Sequence, residues 1–395
     1  MTEWIECTLD KLGEIVGGAT PSTKCEDYYG GSIPWITPKD LSSFKGRYIT
    51  SGERNITEKG LASCSAQMMP KDAVLFTSRA PIGYVAIASQ SVCTNQGFKS
   101  IVVNEKADPL FVYYLLKYNK DAIEAMGSGT TFKEVSGKTM RAVKVRIPLD
   151  VSYQKRIAAV LDSLDTKIEN NERINDNLEQ QAQSYFQELF VDNADPEWAI
   201  GTISDLGTIV GGSTPSKAKP EYYTESGIAW ITPKDLSINK SKFVSHGEND
   251  ITELGLKNSS AAIMPEGTVL FSSRAPIGYI AIAAGEVTTN QGFKSVVPKL
   301  EIGTPFVYFF LKNTLPVIEG MASGSTFKEV SGSTMKNVPA VIPDAETLAK
   351  FSDFCAPIFA QQRILEEQNQ SLATLRDNLL PKLMSGEIDV SAVQL

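Results

Sequence analysis

The sequence predicts an α+β protein in which two similar mixed α/β modules are joined by two long antiparallel helices forming a coiled coil, with a pseudo-two-fold relation between the modules. Three observations predict it. The stretch FTSRAPIGYVAIA at 76–88 returns as FSSRAPIGYIAIA at 271–283, and the same offset of 195 aligns WITPKDL (35–41 with 230–236), TNQGFKS (94–100 with 289–295) and TFKEVSG (131–137 with 326–332). Each copy is built from short β-type runs between Gly, Pro and Ser turns. Each copy then closes, after an Ile-Pro pair at 147–148 or 342–343, with apolar residues spaced alternately four and three apart.

Glu-Trp at 3–4 recurs at 197–198 and IVGG at 15–18 recurs at 209–212, an offset of 194, so one residue is inserted before Trp230. This sets the divisions at 1–147 (first module), 148–195 (first long helix), 196–342 (second module) and 343–395 (second long helix and C-terminal tail). Within a module, AVLFTS, YVAIA and KSIVV read as strands. Gly17-Gly18 and Gly211-Gly212 precede Ala/Ser-Thr-Pro and not Gly-Lys-Ser/Thr, which fits a turn and not a phosphate loop. Residues 111–126 have helical spacing, and Pro316 should shorten or kink the counterpart at 306–321. The first long helix carries Ile157, Leu161, Leu164, Ile168, Asn171, Asn175, Leu178, Ala182, Tyr185 and Leu189 on its seam. The second carries Phe354, Ile358, Gln361, Leu365, Gln368, Leu372, Leu375 and Leu379, with Pro357 expected to kink or start it. So narrow a seam suits a partner helix better than the helix's own module, and its polar members set register. Residues 152–190 as one helix would extend about 58 Å.

Composition limits the function. A chain of 395 residues with 42% hydrophobic content can bury two cores. The start lacks a basic segment followed by an apolar stretch, and no run of about 18 apolar residues occurs, so a cytoplasmic location with no membrane partner is expected. Five cysteines without CxxC spacing read as reduced and non-ligating. The net charge of −8 divides as +3, −6, −1 and −4 over the four divisions, so the helices hold nearly all the acidity. Acidic helices would be repelled by phosphates, whereas the near-neutral modules can collect their cations on one face.

The sequence offers little catalytic chemistry. The only histidine, His246, aligns with Ser51, so no histidine-based acid, triad or metal site exists in both copies. Shared acids are chiefly Asp40/Asp235, Glu58/Glu253 and Glu134/Glu329, and nothing marks a hydrolytic pair among them. No cofactor or metal site is expected in this chain. The repeated runs suit reading DNA instead. Arg79 and Arg274 can bond a guanine edge bidentately, Asn95, Gln96, Asn290 and Gln291 suit adenine, and Lys39, Lys99, Lys133, Lys234, Lys294 and Lys328 can hold phosphates. Asp40 and Asp235 can accept from cytosine, and Thr37, Ser78, Thr131, Thr232, Ser273 and Thr326 complete the candidate contacts. Beside them, Phe98/Phe293 and Phe132/Phe327 read as core. KGRYITSGERN at 45–55 and KSKFVSHGEND at 240–250, at the same offset of 195, have diverged while the runs have not.

Two units of WITPKDL, SRAPIGY, TNQGFKS and TFKEVSG, each followed by Ile-Pro and a long helix, resemble the DNA-specificity subunit of type I restriction-modification systems over essentially the whole chain. The resemblance implies that each module is a target recognition domain reading half of a bipartite site on double-stranded DNA. It implies that the paired helices act as spacer and docking surface for two modification subunits, which carry S-adenosylmethionine and methylate adenine, and that restriction subunits join them. Because the two modules are so alike, the half-sites are expected to be similar sequences in inverted order, centred about 10 bp apart. Differences such as Thr77/Ser272, Thr130/Ser325 and Lys138/Ser333 leave room for the halves to differ. The alternative from another class is a tandem-repeat protein-interaction scaffold that never binds DNA. A self-contained endonuclease or methyltransferase lacks a visible methyl-donor or metal site.

Overall fold

The computed structural model describes residues 2–129, 133–324 and 328–393. The chain divides into two compact units, residues 1–170 with 369–395 and residues 171–368. The first unit therefore contains the first module, the start of the first long helix and the end of the second. The second unit contains the second module with the complementary parts.

In the first unit a five-stranded sheet runs in the order Gly13–Gly17, Lys99–Val103, Val74–Ser78, Ile82–Ala88, Tyr48–Ile49, antiparallel except for its last pair. Val74, Leu75, Phe76, Thr77 and Ser78 are all fully buried, so the central strand is covered on both faces. A three-stranded sheet of Asn55–Ile56, Tyr29–Ile36 and Cys93–Thr94 stands beside it. Trp4–Thr8 and Lys144–Pro148 form a separate antiparallel ribbon. Gly18 comes directly after the first sheet strand, where an added Cβ would lie 2.2 Å from the carbonyl oxygens of Thr94 and Asn95, so this position requires glycine for close backbone approach.

The second unit repeats the five-stranded order with Gly207–Gly211, Lys294–Pro298, Val269–Ser273, Ile277–Ala283 and Phe243–Val244. Its smaller sheet has four strands, and Ala199–Thr202 pairs with Pro339–Ile342. The helix on this sheet, Thr304–Gly320, runs unbroken through Pro316. The first copy is the divided one, with Pro109–Tyr118 and Lys120–Ala125 separated at Asn119. Asn119 leaves helical geometry (ψ 6°) and turns its side-chain amide back onto the Leu115 carbonyl at 2.8 Å. The expected effect of proline is thus corrected: an asparagine that caps its own helix interrupts the chain more than Pro316 does.

The long helices are Val151–Gln187 and Ala345–Ser385. Pro357 neither starts nor ends the second, which begins twelve residues earlier. In the first unit Arg376 pairs with Asp165 at 2.7 Å and Tyr153 donates to Asp389 at 2.9 Å. In the second unit Gln362 donates to the Asn175 carbonyl and Tyr185 packs on Phe354 and Phe351. Within each unit the pairing is antiparallel. Ile157 and Leu161 are fully buried and belong to the module's own core as well as to the helix pair, while Leu164, Ile168, Leu178, Leu372 and Leu379 are half-buried. Ile358 and Leu365 are buried, but Leu375 is 47% exposed and Phe354 is 39% exposed. The seam of the second helix is corrected accordingly. It passes through Phe351, Cys355, Ile358, Gln362, Leu365, Asn369, Leu372, Arg376 and Leu379, so Gln361 and Leu375 lie beside it, while Gln368, at the exposed margin, accepts from the Asn171 amide across the pair at 3.4 Å. Arg376 takes the inward place because Asp165 neutralises it there.

Candidate nucleic-acid interface

The site is assembled around the end of the central strand. Ser78 donates its N–H to the Gly97 carbonyl at 2.7 Å and accepts from the Val135 N–H at 2.9 Å, so SRAPIGY, TNQGFKS and TFKEVSG meet at one residue. Ser273 does the same with Gly292 and Val330. The register shift between Phe76 and Ser78, and between Phe271 and Ser273, marks a bulge as each strand enters the arginine turn. A cis peptide bond joins Ala80 to Pro81 and Ala275 to Pro276 in that turn.

Beyond it, Arg79 lies 3.3 Å from Glu134, whose other oxygen is 3.5 Å from Lys99. Arg274, Glu329 and Lys294 repeat the arrangement at 3.3 and 3.6 Å. Two cations sharing one carboxylate leave a net positive patch, about a third of each arginine side chain being exposed. Asn95 and Asn290 each accept from the glycine N–H two residues on through Oδ1, which leaves the side-chain amide to donate outward. Gln96 and Gln291 accept from Thr20 and Thr214. In the second unit Arg274, Asn290, Gln291 and Thr214 line one open concavity of about 650 Å³, together with Thr232, Lys234, Asp235, Glu248 and Asn249. Tyr223 and Trp230 form its aromatic wall. Lys39 and Lys234 are exposed, and each donates to a glutamate, Glu53 or Glu248, which raises its pKa.

A second set of contacts holds each module to the long helices of its own unit. Arg47, 5% exposed, reaches Asp162 at 2.6 Å, Thr166 at 2.8 Å and Glu169 at 3.0 Å. Its aligned residue Lys242 reaches Glu179 at 2.8 Å and Gln362 at 2.9 Å, while Glu366 accepts from the backbone N–H groups of Lys242 and Phe243. Burial alone would raise the Glu179 pKa, but Lys242 and Lys312 outweigh it and hold the carboxyl down at about 2.

A duplicated polar cluster on modules packed against long helices can belong to several kinds of binding protein. Residues 1–180 and 196–375 match the family described as Type I restriction modification DNA specificity domain. The chain belongs to that family. The specificity chain is 31% identical to the MjaIX type I restriction enzyme specificity subunit of Methanocaldococcus jannaschii, over 98% of its own length and 94% of the relative's. It is 24% identical to the HindI specificity subunit of Haemophilus influenzae, over 73% and 80%. Among solved structures it resembles the type I restriction-modification S subunit of M. genitalium, with a TM-score of 0.62 at 18% identity and coverage of 97% and 96%, a likeness of fold.

Several residues expected to touch DNA have other roles in the specificity chain. Ser78 and Ser273 are fully buried and bond the Gly97 and Gly292 carbonyls. Thr37 and Asp40 cap one another, and Asp40 also accepts from the Glu53 N–H, so its oxygens face the loop it closes. Thr232 and Asp235 do likewise with Glu248, Asp235 being 9% exposed. Thr77 and Ser272 are buried and bond the Tyr84 and Tyr279 N–H groups, so they give the halves no means to differ. Thr131, Thr326, Phe132, Phe327, Thr130 and Ser325 lie outside the described residues. Lys133 and Lys328 are exposed. Glu134 and Glu329, seen in the sequence only as shared acids, prove to organise the arginine and the lysine; their place inside the repeated TFKEVSG run was the available signal. Among the described residues no group of three or more His, Cys, Asp or Glu side chains is placed to hold a metal ion. No helix among them is long and apolar enough to cross a membrane.

Proposed function

We propose that this chain is the non-catalytic reader of a type I restriction-modification complex, recognising a bipartite, near-palindromic site on double-stranded DNA. It docks modification subunits, which bring S-adenosylmethionine, and restriction subunits. The observation that carries the reading is the convergence of the same dispersed runs on Ser78 and Ser273, with an arginine and a lysine held on one glutamate in both units and, in the second, asparagine and glutamine lining one concavity with the arginine. Those side chains are the ones that bond base edges and phosphates. The lone His246, without a partner in the other repeat, supports the view that the chemistry is supplied by the partner subunits. Mapping the methylated adenines in DNA modified by the assembled complex tests the reading. Two similar half-sequences in inverted order, centred about 10 bp apart, are expected. Two unrelated half-sequences would mean that the shared runs build the fold and the divergent loops read.

A further inference from the structure

Every residue lining the concavity of the second unit recurs at the aligned position of the first, except two. Asn249 stands where the first unit has Arg54, and Lys217 stands where it has Thr23. Each set of positions therefore has the same charge balance, with the third cation Arg54 in one and Lys217 in the other. Arg54 lies over the Tyr29 ring, its Cζ 4.2 Å from the centroid. That ring is fixed by a 2.7 Å hydrogen bond from its hydroxyl to the Pro21 carbonyl and by edge-on packing against Trp35. Tyr223 and Trp230 build the same platform in the second unit, bonded to Pro215 and Ser213, and there Asn249 stands at the Arg54 position. A guanidinium stacked on an anchored ring keeps its N–H fork in one plane, the geometry that reads a guanine edge, whereas an asparagine amide matches adenine.

We propose that Arg54 and Asn249 are the specificity-determining pair that makes the half-sites differ. The half read by the first module carries a guanine facing Arg54, and the other half carries an adenine facing Asn249. The relocated cation keeps phosphate attraction equal, so the difference lies in sequence preference and not in overall affinity. This rests on the proposed DNA reading and goes beyond it by naming the position of asymmetry.

The test uses the full chain assembled with its modification subunit, with wild type, Arg54→Asn and Asn249→Arg each selected against duplexes of randomised sequence. In the wild type the halves should agree except at one position. Arg54→Asn should lose guanine preference there on the order of tenfold, in its own half only, and Asn249→Arg should gain it in the opposite half. A folding defect cannot create a new base preference, so the gain in Asn249→Arg protects the test against a damaged Arg54 variant. If the halves are alike but both variants keep the wild-type preferences, or only weaken binding uniformly, the inference fails while the DNA reading stands. Halves with no common sequence would end the inference and the near-palindromic site while leaving a DNA reader, and no sequence selected at all would overturn the DNA reading itself.

Discussion

Arg79 and Arg274 each approach one oxygen of a glutamate whose other oxygen faces a lysine, so the guanidinium is oriented before any ligand arrives. Replacing either arginine by alanine should cost roughly 1–3 kcal/mol of binding and relax preference only in its own half-site. Competition between duplexes altered in one half would measure this, and equal weakening for both halves would refute it. Glu179 should matter through stability. Its pKa of about 2, against an ordinary value of 4.5, means that its contribution is fully present above about pH 4.5 and is lost as pH falls toward 2. Glu179→Gln should lower stability at neutral pH by about 3 kcal/mol and flatten the acid limb of a denaturation series in that window. The residue types at the site were legible in the repeated runs. The internal use of Ser78 and Asp40 was not legible, because their hydrogen-bonding partners Gly97 and Glu53 are set by tertiary contact. The Arg54 stack on Tyr29 was hidden for the same reason.

At the scale of the element, the long helices carry both the module cores and the antiparallel pairing. Their existence and register were legible from apolar spacing. Part of the second seam was not, since a pattern scored on hydrophobicity prefers Leu375 to Arg376, while an ion pair to Asp165 makes the arginine the inward residue. Leu365→Ala should therefore cost roughly 2–5 kcal/mol in chemical denaturation, and Leu375→Ala at most about 0.5 kcal/mol. Equal effects would restore the pattern-based seam. If the helices set the distance between the two half-sites, four residues inserted near Gln180 should displace the chain beyond the insertion by about one turn, roughly 5.4 Å. The selected spacer should then change, or binding should be lost; unaltered binding to the original site would remove the helices as the ruler.

At the scale of the whole molecule, the isolated chain should transfer no methyl group to DNA and should acquire that activity only with its modification subunit. A labelled-methyl assay on the purified chain decides this. The acidity of the helices has a partial account, because Asp162, Glu169, Glu179 and Glu366 serve Arg47 and Lys242 of the modules packed on them. The division of the chain into units also has a consequence for biosynthesis. Residues 369–395 complete the first unit, where Gly386 packs on Trp4 and the Val390 N–H donates to Tyr153. At about 5–20 residues per second, the ribosome needs on the order of 10–40 s to pass from residue 170 to residue 369. The module translated first thus waits longest for its foundation, and a premature stop codon after Gln368 should leave the N-terminal reader, not the C-terminal one, open to proteases.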